Sequence, residues 1–152
     1  AYPGIEILAS QHTDYTRGQS RAVMENLLEA HPVIDVVYTH EDEIALGAIR
    51  ALKAAGRLDG VIVCGNGGSG AALKSIQRGE MTACASYSPV DAGTIGMRVA
   101  SKMLHGEPVS RVVRLTGTII TRENVEQFLR PEMGDADYVY TVDLEGTGIP
   151  AP

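Results

Sequence analysis

Two hydrophobic periods alternate along most of the chain. Residues 5–9 (IEILA) are a short Ile-rich run that predicts a buried strand. Residues 19–30 follow with Val23, Met24, Leu27 and Leu28 at three-four spacing, the stripe of an amphipathic helix, and Pro32 ends it. Residues 33–39 (VIDVVYT) are β-branched and predict a second strand. Asp42 is placed as the N-cap of a helix over 43–55, with Ile44, Leu46, Ile49 and Leu52 inward and Gly56 just past its end. Residues 60–64 (GVIVC) form a third strand, 65–70 a glycine-rich turn, 71–78 a short helix and 82–87 a fourth strand. A helix over 91–104 carries Ile95, Val99 and Met103 on one stripe. Residues 111–115 and 117–121 are strand-like, and 121–125 start a last helical turn. From Arg130 onward the chain is rich in Gly, Pro and Asp and weakly periodic. It is expected to be an extended arm with a short strand at 138–142.

Strand and helix thus alternate with short connections. This predicts an α/β fold, a doubly wound parallel sheet with right-handed crossovers and helices on both faces. We divide the chain into βα units over 1–88, a crossover helix and return strands over 89–128, and a tail over 129–152.

Composition narrows the partners. At 152 residues the chain is one domain, long enough to bury roughly 70% of its unfolded surface. A net charge of −6 argues against nucleic acid and against a polybasic membrane anchor. No apolar run has the length of a membrane span. The opening Ala1-Tyr2-Pro3-Gly4 has neither the charged nor the apolar region of a signal peptide and is expected to be a processing boundary. Cys64 and Cys84 fit neither a disulfide scaffold nor a zinc pattern and are expected to be buried strand thiols.

Ligands of doubly wound sheets sit outside the carboxyl ends of the strands. That edge collects Tyr15, Glu41, Asn66 and Tyr87, with His12, Thr13, Asp14, Arg17, His40, Asp42 and Ser88 nearby. An aromatic face, an acid, an amide and a phenol suit a polyhydroxylated ligand: a ring takes the apolar sugar face and fixed polar groups take the hydroxyls.

Here the chain resembles ribose-type periplasmic sugar-binding proteins. The resemblance rests on residues 23–32 (VMENLLEAHP), on 41–52 (EDEIALGAIRAL, where the family usually has Asn-Asp-Glu-Met-Ala-Leu-Gly-Ala), on Gly65-Asn66-Gly67 in place of the family's Gly-Phe-Asp-Gly, and on 120–125 (ITRENV). It spans residues 3 to about 128. It implies the C-terminal lobe of a two-lobed receptor of an ABC importer, apparently incomplete, with most of the other lobe preceding Ala1. It further implies periplasmic or extracytoplasmic location, a membrane permease as partner, a monosaccharide or polyol bound without chemical change, no cofactor and no enzymatic activity. Tyr15 fits the family's stacking residue. The family often has Asn at the position of Glu41, Asp at that of Asn66 and Gln at that of Tyr87, so acid and amide have changed places. This layout disfavours ribose itself and gives Glu41 a preference for an aminated or cationic group. An incomplete lobe is also expected to self-associate.

Plainer readings stand beside these. Tyr15 can cap the sheet edge, Glu41 can be a helix-start charge favoured by the helix dipole, and Asn66 can serve its turn. The run Gly65 to Gly70 can cradle an anion at a helix N-terminus, although it lacks the Lys-Ser/Thr of a P-loop. The four histidines show no metal-ligand spacing, and no nucleophile elbow or Cys/His pair is present. The rival to the receptor is the effector-binding domain of a LacI-type repressor, which has the same fold.

Overall fold

Four strands form one sheet in a computed structural model that describes residues 2–115 and 117–139. They are β1 (Val36–Tyr38), β2 (Ile62–Gly67), β3 (Ala83–Ser86) and β4 (Ile119–Thr121), in that spatial order. β1, β2 and β3 run parallel, while β4 runs antiparallel to β3 with Cys84 opposite Ile120. The all-parallel expectation is therefore corrected at the edge. The chain leaves β3 into a long helix and returns as β4 from the opposite direction.

The four helices are α1 (Arg17–Ala30), α2 (Asp42–Ala54), α3 (Gly70–Gln77) and α4 (Pro89–Leu104). Their starts follow side-chain chemistry. Thr16 caps α1, Glu41 caps α2, Ser69 caps α3 and Ser88 caps α4, with Pro89 in the first turn. Asp42 is thus not the N-cap but the first helical residue, and it is fully buried. Gly56 and Gly79 take φ of +65° and +74° just past α2 and α3, a region open to glycine at no steric cost.

The core lies between one face of the sheet and α2 and α3. Val63, Cys84 and Ile120 project from the sheet against Leu52, Leu73, Ile76 and Met81, and α1 packs across α2. Strand residues alternate between faces, so Val36, Tyr38, Ile62 and Ile119 belong to the other face. All four are exposed. Helices on both faces were expected, but among the described residues that second face is uncovered. α4 buries only Thr94 and leaves Met97, Met103 and Leu104 in water. Cys64 shares the open face and is half-buried, so only Cys84 meets the expectation of a buried thiol.

Two predicted strands are absent. Residues 5–9 join no strand, and Ile5 and Ile7 are exposed. Their apolar character signals a strand, but no described segment pairs with them. The same holds for residues 111–115, where Val112 and Val113 are exposed. The glycine turn is shorter than predicted, because β2 runs on through Gly67, paired with β3. The last helical turn is a short 3-10 turn over Val125–Gln127. Of the strand expected at 138–142, Tyr138 makes an isolated antiparallel bridge with Ser69, and positions 140–142 lie outside the described residues.

Candidate functional site

The carboxyl ends of β1, β2 and β3 come together through a buried acid. Oδ2 of Asp42 accepts from the Gly68 and Ser69 amides at 2.8 Å each, and Oδ1 accepts from the Cys84 thiol at 3.1 Å. This carboxylate fastens the start of α2 to the turn after β2. The approach is close: a Cβ on Gly65 would stand 2.7 Å from Asp42 Oδ1, and one on Gly67 2.8 Å from Oδ2. Burial, and then the Asp42 charge, push the Cys84 thiol well above its usual range. Buried and donating to Asp42, Cys84 serves here as a hydrogen-bond donor. Asp42 was expected at this edge, but not among the four residues expected to bind the ligand.

Glu41 is half-buried at the same edge. Its Oε2 accepts from the Glu43 amide, capping α2, and its Oε1 accepts from the Tyr138 hydroxyl at 3.4 Å. The cap explains why an acid stands here. Burial raises the pKa of Glu41; the Glu43 amide opposes that, and the Asp42 and Glu43 charges add to it. Asn66 lies at the end of β2, level with Ala85, in the row of the open face. Its side-chain carboxamide makes no hydrogen bond among the described residues. Tyr87 follows β3, its amide donating to the Gly67 carbonyl at 2.7 Å and its side chain exposed. Glu41, Asn66 and Tyr87 thus stand at the ends of three neighbouring strands.

Tyr15 stands apart from them. It sits before α1 with φ of +64° and an exposed ring, and no hydrogen bond among the described residues joins it to the others. Asp14 fixes the turn by accepting from the Thr16 amide at 3.0 Å and the Thr16 hydroxyl at 2.6 Å. The start of α1 reaches α2 through Arg17, which pairs with Glu43 through two nitrogens, one at 2.6 Å.

The glycine turn is no anion cradle. Asp42 takes the Gly68 and Ser69 amides. Gly70 and Ala71 donate to the carbonyls of Asp137 and Asp135, and Ala72 donates to the Ser69 hydroxyl. Five consecutive donors are spent inside the protein. A cleft of about 410 Å³ lies on the flank of α2 and α3, bounded by Arg50, Lys53, Lys74 and Arg78 over Leu46 and Ile49. None of the four predicted residues lines it. No group of three His, Cys, Asp or Glu side chains converges as a metal site among the described residues. No helix among them is long and apolar enough to cross a membrane.

A mainly parallel α/β lobe with polar groups collected at its strand ends is the architecture of a ligand-binding wall. Residues 1–108 match the periplasmic binding protein domain, and the chain belongs to that family. It is similar to the ribose import binding protein of Salmonella typhimurium, 43% identical over 103 residues that cover 68% of this chain and 34% of that protein. It is 35% identical over 126 residues to a putative rhizopine-binding protein of Rhizobium meliloti, covering 82% and 41% of the two chains. Among solved structures it is similar to an ABC transporter periplasmic solute-binding protein from Actinobacillus succinogenes with bound D-allose. The TM-score is 0.79 at 27% identity, over 84% of this chain and 45% of that one. It is also similar to an ABC transporter solute-binding protein from Bacillus halodurans with bound myo-inositol (TM-score 0.74, 34% identity, 82% and 43% covered). The chain spans about a third of the length of the ribose import binding protein and under half of each of the others. These relatives are binding proteins and not enzymes.

Proposed function

We propose that this chain supplies one wall of the sugar or polyol site of an ABC importer receptor, acting in the periplasm and delivering its ligand unchanged to a membrane permease. The observation that carries this reading is the pairing of a strand edge bearing Glu41, Asn66 and Tyr87 with structural neighbours that hold D-allose and myo-inositol. Relatives named for import favour the receptor over the repressor. Tyr15 belongs to the proposal as a stacking ring on the rim of the site, reached by the ligand from the side of α1.

A receptor of this kind closes two walls over its ligand by a hinge, and one wall alone forgoes the other's hydrogen bonds. Losing two charged hydrogen bonds costs about 3–6 kcal/mol, more than a hundredfold in Kd. Saturation-transfer NMR on the whole chain is therefore expected to show myo-inositol and D-allose bound in the millimolar range, with no new chemical species on long incubation. Turnover of a sugar, or binding of amino acids alone, overturns the reading.

Among the described residues one sheet face is uncovered and the outer edge of β1 is unpaired, and both support self-association as a second part of the proposal. Unpaired strand edges and contiguous apolar surface seek partners. Sedimentation velocity is expected to give a dimer or a larger species. A compact monomer that binds a sugar at micromolar Kd shows instead that one lobe is a complete receptor.

A further inference from the structure

Residues 130–139 lie outside the stretch that matches the family, yet they dock on the turn at the centre of the site. The Gly70 amide donates to Asp137 O at 2.7 Å, the Ala71 amide to Asp135 O at 3.1 Å, and the Val139 amide to Gly68 O at 3.1 Å. Lys74 pairs with Asp135 at 2.8 Å, and Met133 and Val139 are buried. A Cβ on Gly70 would stand 2.0 Å from the Gly134 carbonyl, so the two backbones meet with no room for a side chain. This strap carries Tyr138 to the strand edge. Its ring lies against Gly67, where an added Cβ would be 3.3 Å from Tyr138 Cε1, and its hydroxyl reaches Glu41 Oε1 at 3.4 Å.

We infer that Tyr138 is a ligand-contacting residue of this site, working as a pair with Glu41. The inference rests on the reading of the strand edge as a polyol site. Glu41 alone is an acceptor, and its Oε2 already serves the Glu43 amide. A polyol hydroxyl both donates and accepts. The phenol adds the one proton the carboxylate lacks: it is directed at Glu41 Oε1 here, and it turns to a ligand oxygen when a ligand hydroxyl donates to Glu41 in its place. A separation of 3.4 Å is long for an O–H···O bond. The pair therefore has slack to take a ligand hydroxyl between or beside its members. Tyr138 is only partly buried, which leaves part of the residue within reach of solvent.

The test uses the whole chain with 13C-labelled tyrosine and titrates myo-inositol and D-allose by NMR. In the unmodified chain the Tyr138 ring resonance is expected to move with ligand, saturating with the same Kd as the sugar signal. Tyr138→Phe keeps the ring and is expected to weaken binding about three- to tenfold, the worth of one neutral hydrogen bond. The Gly70 and Ala71 amides should remain protected from hydrogen exchange in that variant, showing the strap still docked. Equal binding by the docked variant and a still Tyr138 resonance overturn the inference and leave the sugar site standing. Should the variant release the strap, the Tyr138 resonance of the unmodified chain decides: movement supports the contact and none overturns it. If no sugar binds to the unmodified chain, the polyol reading falls and the inference falls with it.

Discussion

Asp42→Ala is expected to destabilise the chain by about 3–5 kcal/mol, the range for leaving buried partners of a charged group unsatisfied. The Asp42 side chain is fully buried and accepts three hydrogen bonds, two from amides and one from a thiol. Those bonds compensate the desolvation of the carboxylate. Removing it strands the Gly68 and Ser69 amides, both on buried residues, and leaves space beside Gly65 and Gly67. Alanine gains a little helix propensity at the first position of α2, a few tenths of a kcal/mol, which does not reverse the sign. Asp42→Asn keeps the shape and one good acceptor, and is expected to cost about 1–2 kcal/mol. Urea unfolding followed by far-UV circular dichroism separates the two. An alanine variant within 1 kcal/mol of the parent would mean that water replaces the carboxylate and that the turn does not depend on it.

Gly47→Ala inverts the usual rule for glycine within a helix. In open surroundings the substitution gains about 1 kcal/mol. At Gly47 an added Cβ would stand 2.5 Å from the Arg17 carbonyl and 2.7 Å from Ser20 Cβ, with Ser20 Oγ already donating to the Ile44 carbonyl at 2.6 Å. The obstacle is backbone, so α1 must move away from α2. The expected net loss is about 1–3 kcal/mol, typical of overpacking. Gly96 provides the control: it lies inside α4 with nothing within 4 Å of an added Cβ, and Gly96→Ala is expected to be neutral or stabilising. Opposite signs at the two positions, measured by the same urea titration, confirm that close packing of α1 on α2 sets the first. Equal gains at both positions refute it.

The pattern of the sequence located α1, α2 and α3 to within a few residues, because their apolar stripes and the Pro32, Gly56 and Gly79 that follow them point the same way. It failed where an element depends on a partner. Residues 5–9 have the composition of a strand, but composition carries no information about whether a neighbouring strand is there to pair with them. β4 looked like one more strand, and only the path of the chain through α4 makes it antiparallel. The buried role of Asp42 was hidden, because it is one of three consecutive acids that all suit a helix start. A signal existed in Gly65 and Gly67: glycines two apart on one strand face mark the close approach of another group. The Glu41, Asn66 and Tyr87 trio was legible because strand ends define an edge without any contact being known. Tyr138 was not, since its segment has no periodicity and docks through its backbone.

The strap also sets an order for assembly. Tyr138 meets Glu41 across 97 residues of sequence, and Asp135 meets Lys74 across 61, whereas the α1–α2 contact through Arg17 and Glu43 spans 26. Loop-closure entropy grows only slowly with length, by about 0.6 kcal/mol per doubling, but long-range contacts must wait for a surface to close upon. The α1–α2 pair and the parallel strands can form while the strap is still free, and the turn after β2 must already be built before Gly70 and Ala71 have donors to offer. On the ribosome this becomes a matter of timing. The βα units leave the exit tunnel before the strap does, and the Gly70 and Ala71 amides stay hydrated until residues 130–139 emerge and bring Tyr138 to Glu41.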